Sequence, residues 1–200
     1  MARYTGPKWK VSRALSFPVF GDESYKKRPN KPGQHAQKPR RSGSAYSIQF
    51  TEKQKVKKTF GLQEKQFARI YEKASKDKGN TAIKLMSLLE KRLDNLVYRS
   101  KLAKSRAQAR QLVSHGNVLV NGKKLDIPSY EVKVGDEISL NSKISNSDWF
   151  KQVKEDLNDG MPIPNWIEPL ENGSRVKSVP DKEHFDKSFN TQLIVEFYNR

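Results

Sequence analysis

Two arginines, Arg106 and Arg110, stand four residues apart in the stretch SRAQARQLVSHGNVLVNG, which runs from position 105 to position 122. Residues at this spacing share one face of a helix, with about 6 Å between their Cβ atoms. Each guanidinium can donate two parallel hydrogen bonds to a phosphate, and a helix start adds unpaired N–H groups. The pair is predicted to be exposed and to contact backbone phosphates; a solvated helix face is the alternative.

The local sequence predicts the helix that carries these arginines. Ser105, followed by Gln108, gives a capping-box pattern, so the helix is predicted to begin at Ser105. Gly116 supplies the left-handed residue with which helices commonly end. The buried face of this helix is predicted to comprise Ala109, Leu112 and Val113.

A hairpin is predicted to follow the helix directly. Residues 118–120 are a short apolar strand, and the Asn-Gly pair at 121–122 is the strongest two-residue hairpin signal. The Lys-Lys pair at 123–124 adds two cations beside the helix. We call residues 105–124 the helix–hairpin segment, and we expect it to form a compact cationic surface.

Charge is distributed unevenly along the chain. Of 200 residues, 39 are Lys or Arg and 22 are Asp or Glu, giving a net charge of +17. Residues 1–60 contain 15 basic and 3 acidic side chains, and residues 61–120 contain 13 and 5, whereas residues 121–200 contain 11 and 14. One-sided charge repels itself unless a polyanion neutralises it, which points to nucleic acid or an anionic membrane; plain solubility is the alternative.

Composition excludes several classes of protein. No stretch approaches the roughly 20 apolar residues of a membrane-spanning helix, and the N-terminal residues lack the apolar run of a signal peptide. With no cysteine, disulfides and thiolate metal sites are excluded, and the three histidines are too scattered to indicate a zinc cluster. We therefore expect a cytoplasmic protein with no metal, no cofactor and no membrane partner.

Residues 1–45 are expected to form a basic, extended N-terminal arm. Five prolines, with glycines and basic residues between them, break helices and limit the apolar surface that can be buried. The segment is either a disordered tail or an arm that becomes ordered on phosphates, and we favour the arm. Four aromatic side chains could stack on bases or fix the arm to a core, namely Tyr4, Trp9, Phe17 and Phe20.

Residues 46–87 are predicted to form a small helical domain. A capping-box pattern starts a helix at Thr51, Gly61 interrupts the helical sequence, and another helix starts at Thr81. The leucines that follow recur at i, i+3 and i+4 as far as Val97, which indicates a buried stripe.

The remaining chain is predicted to contain short elements of both kinds. Residues 132–140 complete a small antiparallel sheet, Ser147 caps a helix, and residues 161–170 are extended because each proline biases its predecessor away from helix. The apolar run 193–198 is predicted to be a buried strand, so residues 185–200 could complete the helical domain or stay on the segment before them. The predicted fold class is α+β.

Residues 88–125 resemble the small RNA-binding module named after ribosomal protein S-four. Both its helix–helix–hairpin and its closing V-G-D-x-I, at 134–138, are present. The wider chain resembles the S-four family in its bacterial or, less closely, organellar form, through the stretches MARYTGPKWK, KPGQHAQKPRR, FTEKQKVKKTFGLQEKQF and NTQLIVEFY. The resemblance implies that residues 88–184 form this module with a C-terminal extension.

The resemblance also implies a function: a structural, non-enzymatic constituent of the small ribosomal subunit. Its implied partners are 16S-type rRNA, bound first at a multi-helix junction of the 5′ domain, ribosomal protein five, other neighbouring ribosomal proteins, and messenger RNA where it enters the subunit. The resemblance also implies that the protein nucleates subunit assembly and influences translational accuracy. Two departures matter: the cysteines with which some members bind zinc are absent, and Asn117, which cannot become cationic, stands where a second histidine is frequent.

Two other functions stay open. RNA-modifying enzymes also carry this module, although the remaining chain lacks a Gly-rich cofactor loop and a nucleophile–base pair; stress-response RNA chaperones carry it without the ribosomal ends. The candidate RNA contacts are basic, polar or aromatic, and no catalytic residue is proposed. They are Arg3, Tyr4, Lys8, Lys10, Arg13, Lys31, Gln34, His35, Arg40, Arg41, Lys53, Lys55, Lys57, Lys58, Lys104, Ser105, Arg106, Arg110, His115, Asn117, Asn121, Lys123 and Lys124.

Overall fold

Helices and a small antiparallel sheet build the described part of the protein, which confirms the α+β class. The computed structural model describes residues 4–21, 23–28, 30–34, 36, 43–158, 162–170 and 173–200. The chain divides into two compact units, the first comprising Met1–Ala82 and Asp186–Arg200 and the second Ile83–Phe185. Within the described residues, we find no helix with the length and hydropathy needed to span a bilayer.

The secondary structure follows in chain order. The helices are α1 (Lys8–Leu15), α2 (Ala45–Thr59), α3 (Glu64–Lys76), α4 (Thr81–Glu90), α5 (Leu93–Arg99), α6 (Arg106–Ser114), α7 (Ser142–Ser145), α8 (Asp148–Asn158) and α9 (Thr191–Tyr198). The strands are β1 (Val118–Val120), β2 (Lys123–Lys124), β3 (Glu137–Leu140), β4 (Ile167–Leu170) and β5 (Gly173–Val176). Short 3-10 turns lie at Glu23–Lys27 and Lys182–His184.

Part of the predicted extended arm is helical, in α1. Pro7 stands at the N-cap, where its missing N–H costs nothing, and Ser16 ends the helix in the left-handed region with φ of 51°. Ser12 and Val19 are buried, and the ring of Phe17 packs 5.4 Å from that of Phe189. The arm is therefore not extended throughout, and of the two roles considered for its aromatic side chains Phe17 packs on a core, where its apolar partner comes from the far end of the sequence.

Helix α2 begins earlier than the capping pattern predicts. It starts after Ser44, whose Oγ accepts a hydrogen bond from the N–H of Ser47 at 3.3 Å. The start predicted at Thr51 is wrong, because the Thr51 hydroxyl instead donates to the carbonyl of Ser47 at 2.7 Å from within the helix. The predicted interruption at Gly61 is confirmed, since this residue has φ of 64° between α2 and α3.

The C-terminal apolar run forms a helix, α9, and not the predicted strand. It packs on α2 in the first unit, with the ring of Phe197 5.6 Å from that of Tyr46 and 6.0 Å from that of Phe50. Gln49 Nε2 donates to a carboxylate oxygen of Glu196 at 3.0 Å. The β-branched residues of the C-terminal run favour a strand locally, but packing one face of α9 against α2 outweighs that preference.

Helices α4, α5 and α6 place the predicted apolar stripe in the second unit. Leu85 and Leu89 from α4, and Leu93, Leu96 and Val97 from α5, are all fully buried, which confirms the stripe. The stripe is divided between two helices because the chain breaks at residues 91–92. Because of this break, α5 has a helix N-terminus of its own.

The sheet of the second unit has the strand order β2-β1-β3-β5-β4, and all its pairs are antiparallel. Strands β1 and β3 pair with Val120 opposite Ile138, which confirms that the stretch 132–140 adds a strand to the sheet. The strand covers only Glu137–Leu140 and does not complete the sheet, because β5 and β4 continue it. Strand β4 confirms that residues 161–170 include extended chain. Ser147 caps α8 as predicted, because its Oγ accepts a hydrogen bond from the N–H of Phe150 at 3.3 Å. Strand β5 was not predicted.

Candidate nucleic-acid interface

Helix α6 begins where the sequence predicts. The Oγ of Ser105 accepts a hydrogen bond from the N–H of Gln108 at 3.3 Å. The Gln108 side chain accepts instead from the N–H of Lys104, at 2.7 Å, so only half of the predicted capping box forms. The predicted inner face is confirmed as buried, and it comprises Ala109, Leu112 and Val113.

Arg106 is half-buried and held from two directions by α5. Its Nε donates a hydrogen bond to Oδ1 of Asn95 at 2.9 Å. Its guanidinium carbon lies 4.5 Å from the ring centre of Tyr98, a cation–π contact. The guanidinium is therefore held by a hydrogen bond and a ring contact, not loose in solvent as the exposed pair of arginines was expected to be.

Arg110 differs more strongly from its prediction. Its side chain is only 13% exposed, and its NH1 lies 3.8 Å from Oδ2 of Asp94. Burial lowers the pKa of the Arg110 guanidinium, the Asp94 carboxylate opposes that shift, and the charge of Arg92 adds to it. The expectation that both arginines are exposed is wrong for Arg110, because α5 packs an acidic side chain against it.

The hairpin forms as predicted, with Asn121 and Gly122 both at positive φ, 51° and 74°. Asn121 serves this turn: its Nδ2 donates to Asp136 at 2.8 Å, and its Oδ1 accepts from the N–H of Glu137 at 2.9 Å. Its side chain therefore ties the turn to β3, while the residue itself stays exposed. Lys123 and Lys124 are exposed on β2.

Lys124 lies against the end of α6. Gly116, at φ of +67°, has the outer carbons of the Lys124 side chain in the space where a Cβ would stand. His115, the C-cap residue, is exposed, and Asn117 is half-buried with its backbone bonded to Leu112 and Asn141. The hairpin thus places Lys124 beside the last turn of α6, the helix that begins at Arg106. Lys104, also exposed, pairs with Asp156.

In the first unit, two predicted contacts are structural. Lys53 and Lys57 have side chains only 6% and 9% exposed, and each bonds one oxygen of the Glu64 carboxylate at 2.6 Å. Burial raises the pKa of Glu64, but the hydrogen bonds and charges of the two lysines outweigh it and hold that pKa below its ordinary value. Both lysines are thus buried ion-pair partners of an acid from α3, which the sequence of α2 alone does not reveal.

The other candidates on α2 are more accessible. Lys55 pairs with Glu52 and lies 5.7 Å from the ring centre of Phe17, while the ammonium of Lys58 lies 5.0 Å from the ring centre of Tyr4. Tyr4 is 45% exposed. The structure therefore gathers two cations and two aromatic rings of the predicted arm and α2 within the first unit.

The remaining N-terminal candidates divide into two groups. Lys8, Lys10, Lys31 and Gln34 are exposed, and Arg13 is half-buried, with Nε donating to the carbonyl of Asn30 at 3.0 Å. The other predicted contacts lie outside the described residues, and these are Arg3, His35, Arg40 and Arg41.

Comparisons with known proteins agree over the whole chain. The family profile of the ribosomal protein S4/S9 N-terminal domain matches residues 3–90, and that of the S4 domain matches residues 91–138. The small ribosomal subunit protein uS4 of Ligilactobacillus salivarius is 46% identical over 202 residues, covering all of both chains. The chain belongs to the uS4 family. Proteins of the same name from a Mycobacterium species and from Geobacillus stearothermophilus are 46% and 43% identical, each over 203 residues and the full length of both chains.

Membership of uS4 decides between the open functions. The relatives are ribosomal proteins of the small subunit, so the chain is a structural ribosomal protein and not an RNA-modifying enzyme. The helix–hairpin segment lies inside the part matched by the S4 domain.

Among the residues that the structure describes, no group of three or more His, Asp or Glu side chains is placed to hold a metal ion.

Two residues that shape this uS4 interface were not predicted from the sequence, Asn95 and Tyr98. Asn95 is 2% exposed although it is polar, and Tyr98 lies one helical turn further along α5. The available signal was the Asp-Asn pair at 94–95, which stands inside an otherwise apolar stripe. Polar residues in such a stripe are buried only when they are bonded, so a nearby partner was to be expected.

Proposed function

We propose that this chain binds 16S-type rRNA through the helix–hairpin segment and the basic side chains of its first unit. The observation that carries the proposal is a set of cations at the two ends of α6: Arg106 at its start, held by Asn95 and Tyr98, and Lys123 and Lys124, exposed on the hairpin that follows its last turn. A cationic side chain that is already ordered in the free protein loses less conformational freedom when it pairs with a phosphate. The net charge of +17 provides the long-range attraction.

The finer role follows the family resemblance. We propose that the chain is a primary binder of a multi-helix junction in the 5′ domain, that it nucleates assembly of a bacterial-type cytoplasmic small subunit, and that it contacts ribosomal protein five and influences accuracy where messenger RNA enters. The proposed contacts among the described residues are exposed or half-exposed. They are Tyr4, Lys8, Lys10, Arg13, Lys31, Gln34, Lys55, Lys58, Lys104, Ser105, Arg106, His115, Asn117, Lys123 and Lys124.

The salt dependence of binding tests this proposal. Phosphate contacts release counterions, so log K falls with log salt by about 0.7–0.9 per phosphate neutralised. Replacing Lys123 and Lys124 by Gln should make the slope shallower by about 1.4–1.8 if each lysine meets one phosphate. The probe is a transcript of the 5′ domain of 16S-type rRNA, titrated at several salt concentrations.

Charge-matched controls separate contact from general attraction. Lys143 and Lys187 are exposed in the region 121–200, where acidic residues outnumber basic ones. Replacing both by Gln removes the same charge and should change the slope by much less. Equal changes for the two double variants would mean that the hairpin is a solvated surface. Deleting residues after Asn190 is not a suitable control, because α9 packs on α2.

A further inference from the structure

Behind Arg106, a chain of buried polar contacts extends into the second unit. Glu90 is fully buried, and its carboxylate accepts hydrogen bonds from Arg99, Nε at 3.0 Å and NH2 at 2.6 Å. The same carboxylate accepts from Nδ2 of Asn95 at 2.7 Å, and the backbone carbonyl of Glu90 lies 3.2 Å from that nitrogen. Asn95 then accepts from Nε of Arg106 at 2.9 Å.

We propose that Asn95 is a positioning residue, which sets Arg106 in the orientation that contacts RNA phosphate through the series Arg99–Glu90–Asn95–Arg106. This inference rests on the proposed function of Arg106. It assigns to a buried side chain, one that cannot itself reach RNA, a direct effect on affinity.

The orientation of the Asn95 amide follows from its partners. A carboxylate and a backbone carbonyl can only accept hydrogen bonds, so the NH2 group of Asn95 must face Glu90. Its oxygen is consequently turned to Arg106, where it can only accept. Glu90 is held in turn by the two-pronged bond from Arg99, so the Asn95 oxygen has one available direction.

The Arg106 side chain is constrained by this oxygen and by the ring of Tyr98. The Nε bond sets the direction of the guanidinium, and the ring of Tyr98 packs against it, with 4.5 Å between the guanidinium carbon and the ring centre. A long side chain ordered before binding loses less freedom when it pairs. Ordering one such side chain corresponds to a gain in affinity of about 2- to 12-fold.

An amide suits this position better than a carboxylate. Aspartate at residue 95 would place a second negative charge 2.7 Å from the Glu90 carboxylate, at the present position of Nδ2. It would also neutralise Arg106, which has to remain available to attract phosphate. Asparagine fixes the direction of the guanidinium without cancelling its charge.

A double-mutant cycle in the full-length chain tests the inference. The variants are Asn95→Ala, Arg106→Gln and their combination, with Asn146→Ala, at an exposed asparagine of the same unit, as the control. Binding is measured with the 5′-domain transcript, and stoichiometric titration gives the active fraction of each variant. We expect Asn95→Ala to raise Kd by about 2- to 12-fold in the wild-type background and to have no effect once Arg106 is replaced.

The outcomes separate the two proposals. If Arg106→Gln leaves Kd unchanged, Arg106 does not contact RNA, and that part of the proposed function is wrong. If Arg106→Gln weakens binding and Asn95→Ala weakens it further by the same factor in that background, Asn95 acts independently of Arg106 and the positioning role is wrong. Should Asn95→Ala fail to fold, Asn95→Ser, which keeps a small polar side chain at this buried position, enters the same cycle with the same two criteria.

A measurement without RNA checks the positioning itself. In the free protein, the Nε–H of Arg106 should exchange slowly and give a distinct NMR signal, because it is bonded to Asn95. Asn95→Ala should abolish that protection while the backbone spectrum of α6 is retained. An unchanged Arg106 signal in the folded variant would overturn the inference.

Discussion

Replacing Asp94 by Asn should destabilise the second unit severely. The carboxylate accepts from Arg92, Nε at 3.0 Å and NH2 at 2.9 Å, and from the N–H of Asn95 at 3.0 Å. Arg110 approaches the same group at 3.8 Å. Arg92 and Asp94 have side chains only 7% exposed, so the variant leaves a buried guanidinium without a counter-charge.

The expected cost follows from that burial. Breaking a buried ion pair by removing one partner costs about 3–5 kcal/mol, because the remaining charge stays out of water. Single domains are stable by about 5–15 kcal/mol, so the loss is a large share of the total. For a unit of this size, about 4 °C of melting temperature is lost per kcal/mol, which gives a decrease of about 12–20 °C.

The assay is thermal and urea unfolding followed by fluorescence of Trp166, which is 1% exposed in the core of the second unit. Replacing Trp9 and Trp149 by Phe leaves Trp166 as the single tryptophan. Asp156→Asn is the matched control, since its pair with Lys104 is about half exposed and should contribute less than about 1 kcal/mol.

A second change tests the cause. Adding Arg92→Gln to Asp94→Asn should recover part of the lost stability, because the charge of Arg92, which Asp94→Asn leaves buried without its ion-pair partner, is then removed as well. An Asp94→Asn protein that unfolds within about 1 kcal/mol of the wild type would refute the reasoning. The reasoning would also be refuted if adding Arg92→Gln to Asp94→Asn lowered the stability by as much as Arg92→Gln lowers it in the wild type.

Two further predictions concern the acid in α3 and the end of α6. The pKa of Glu64 is lowered from 4.5 in the folded state, so its bonds to Lys53 and Lys57 contribute fully above pH 4.5 and are lost as pH falls through the lowered value. Glu64→Gln should therefore be less stable than wild type at pH 7, by about 1 kcal/mol after allowance for its half-exposed side chain, with the difference vanishing in acid urea titrations. Gly116→Ala should cost about 1–2 kcal/mol from its φ of +67° and also weaken RNA binding by displacing Lys124. Gly122→Ala, at φ of +74° with nothing near its Cβ position, should share the backbone cost and leave affinity nearly unchanged; equal affinities for the two variants would contradict this account.

Local signals predicted local structure well. Ser105 at a helix start and Asn121-Gly122 at a turn depend on hydrogen bonds and φ values within a few residues, and both form as expected. The alternation and helical periodicity that define the core of the second unit are likewise properties of neighbouring residues. The α+β class and the helix–hairpin segment could therefore be predicted from the sequence.

The errors share one cause, which is contact between residues distant in the sequence or in another element. In the sequence, Lys53 and Lys57 look like accessible cations, whereas in the structure both are buried and bonded to Glu64 of α3. Arg110 is on the predicted helix face, but the start of α5 covers it. The run at 193–198 is apolar enough for a strand, and only its packing on α2 selects a helix. Spacing along one helix identifies a shared face but not what covers that face.

The position of α9 has a consequence for the order in which the chain can fold. The second unit is one continuous segment, Ile83–Phe185, so all its contacts are available once that segment has been synthesised. The first unit is completed by Asp186–Arg200, which is made only after the second unit. During translation, the apolar side of α2 has to wait for more than one hundred residues before Phe197 can cover it. We therefore expect the helix–hairpin segment to mature first on the nascent chain, with the basic N-terminal helices completed last.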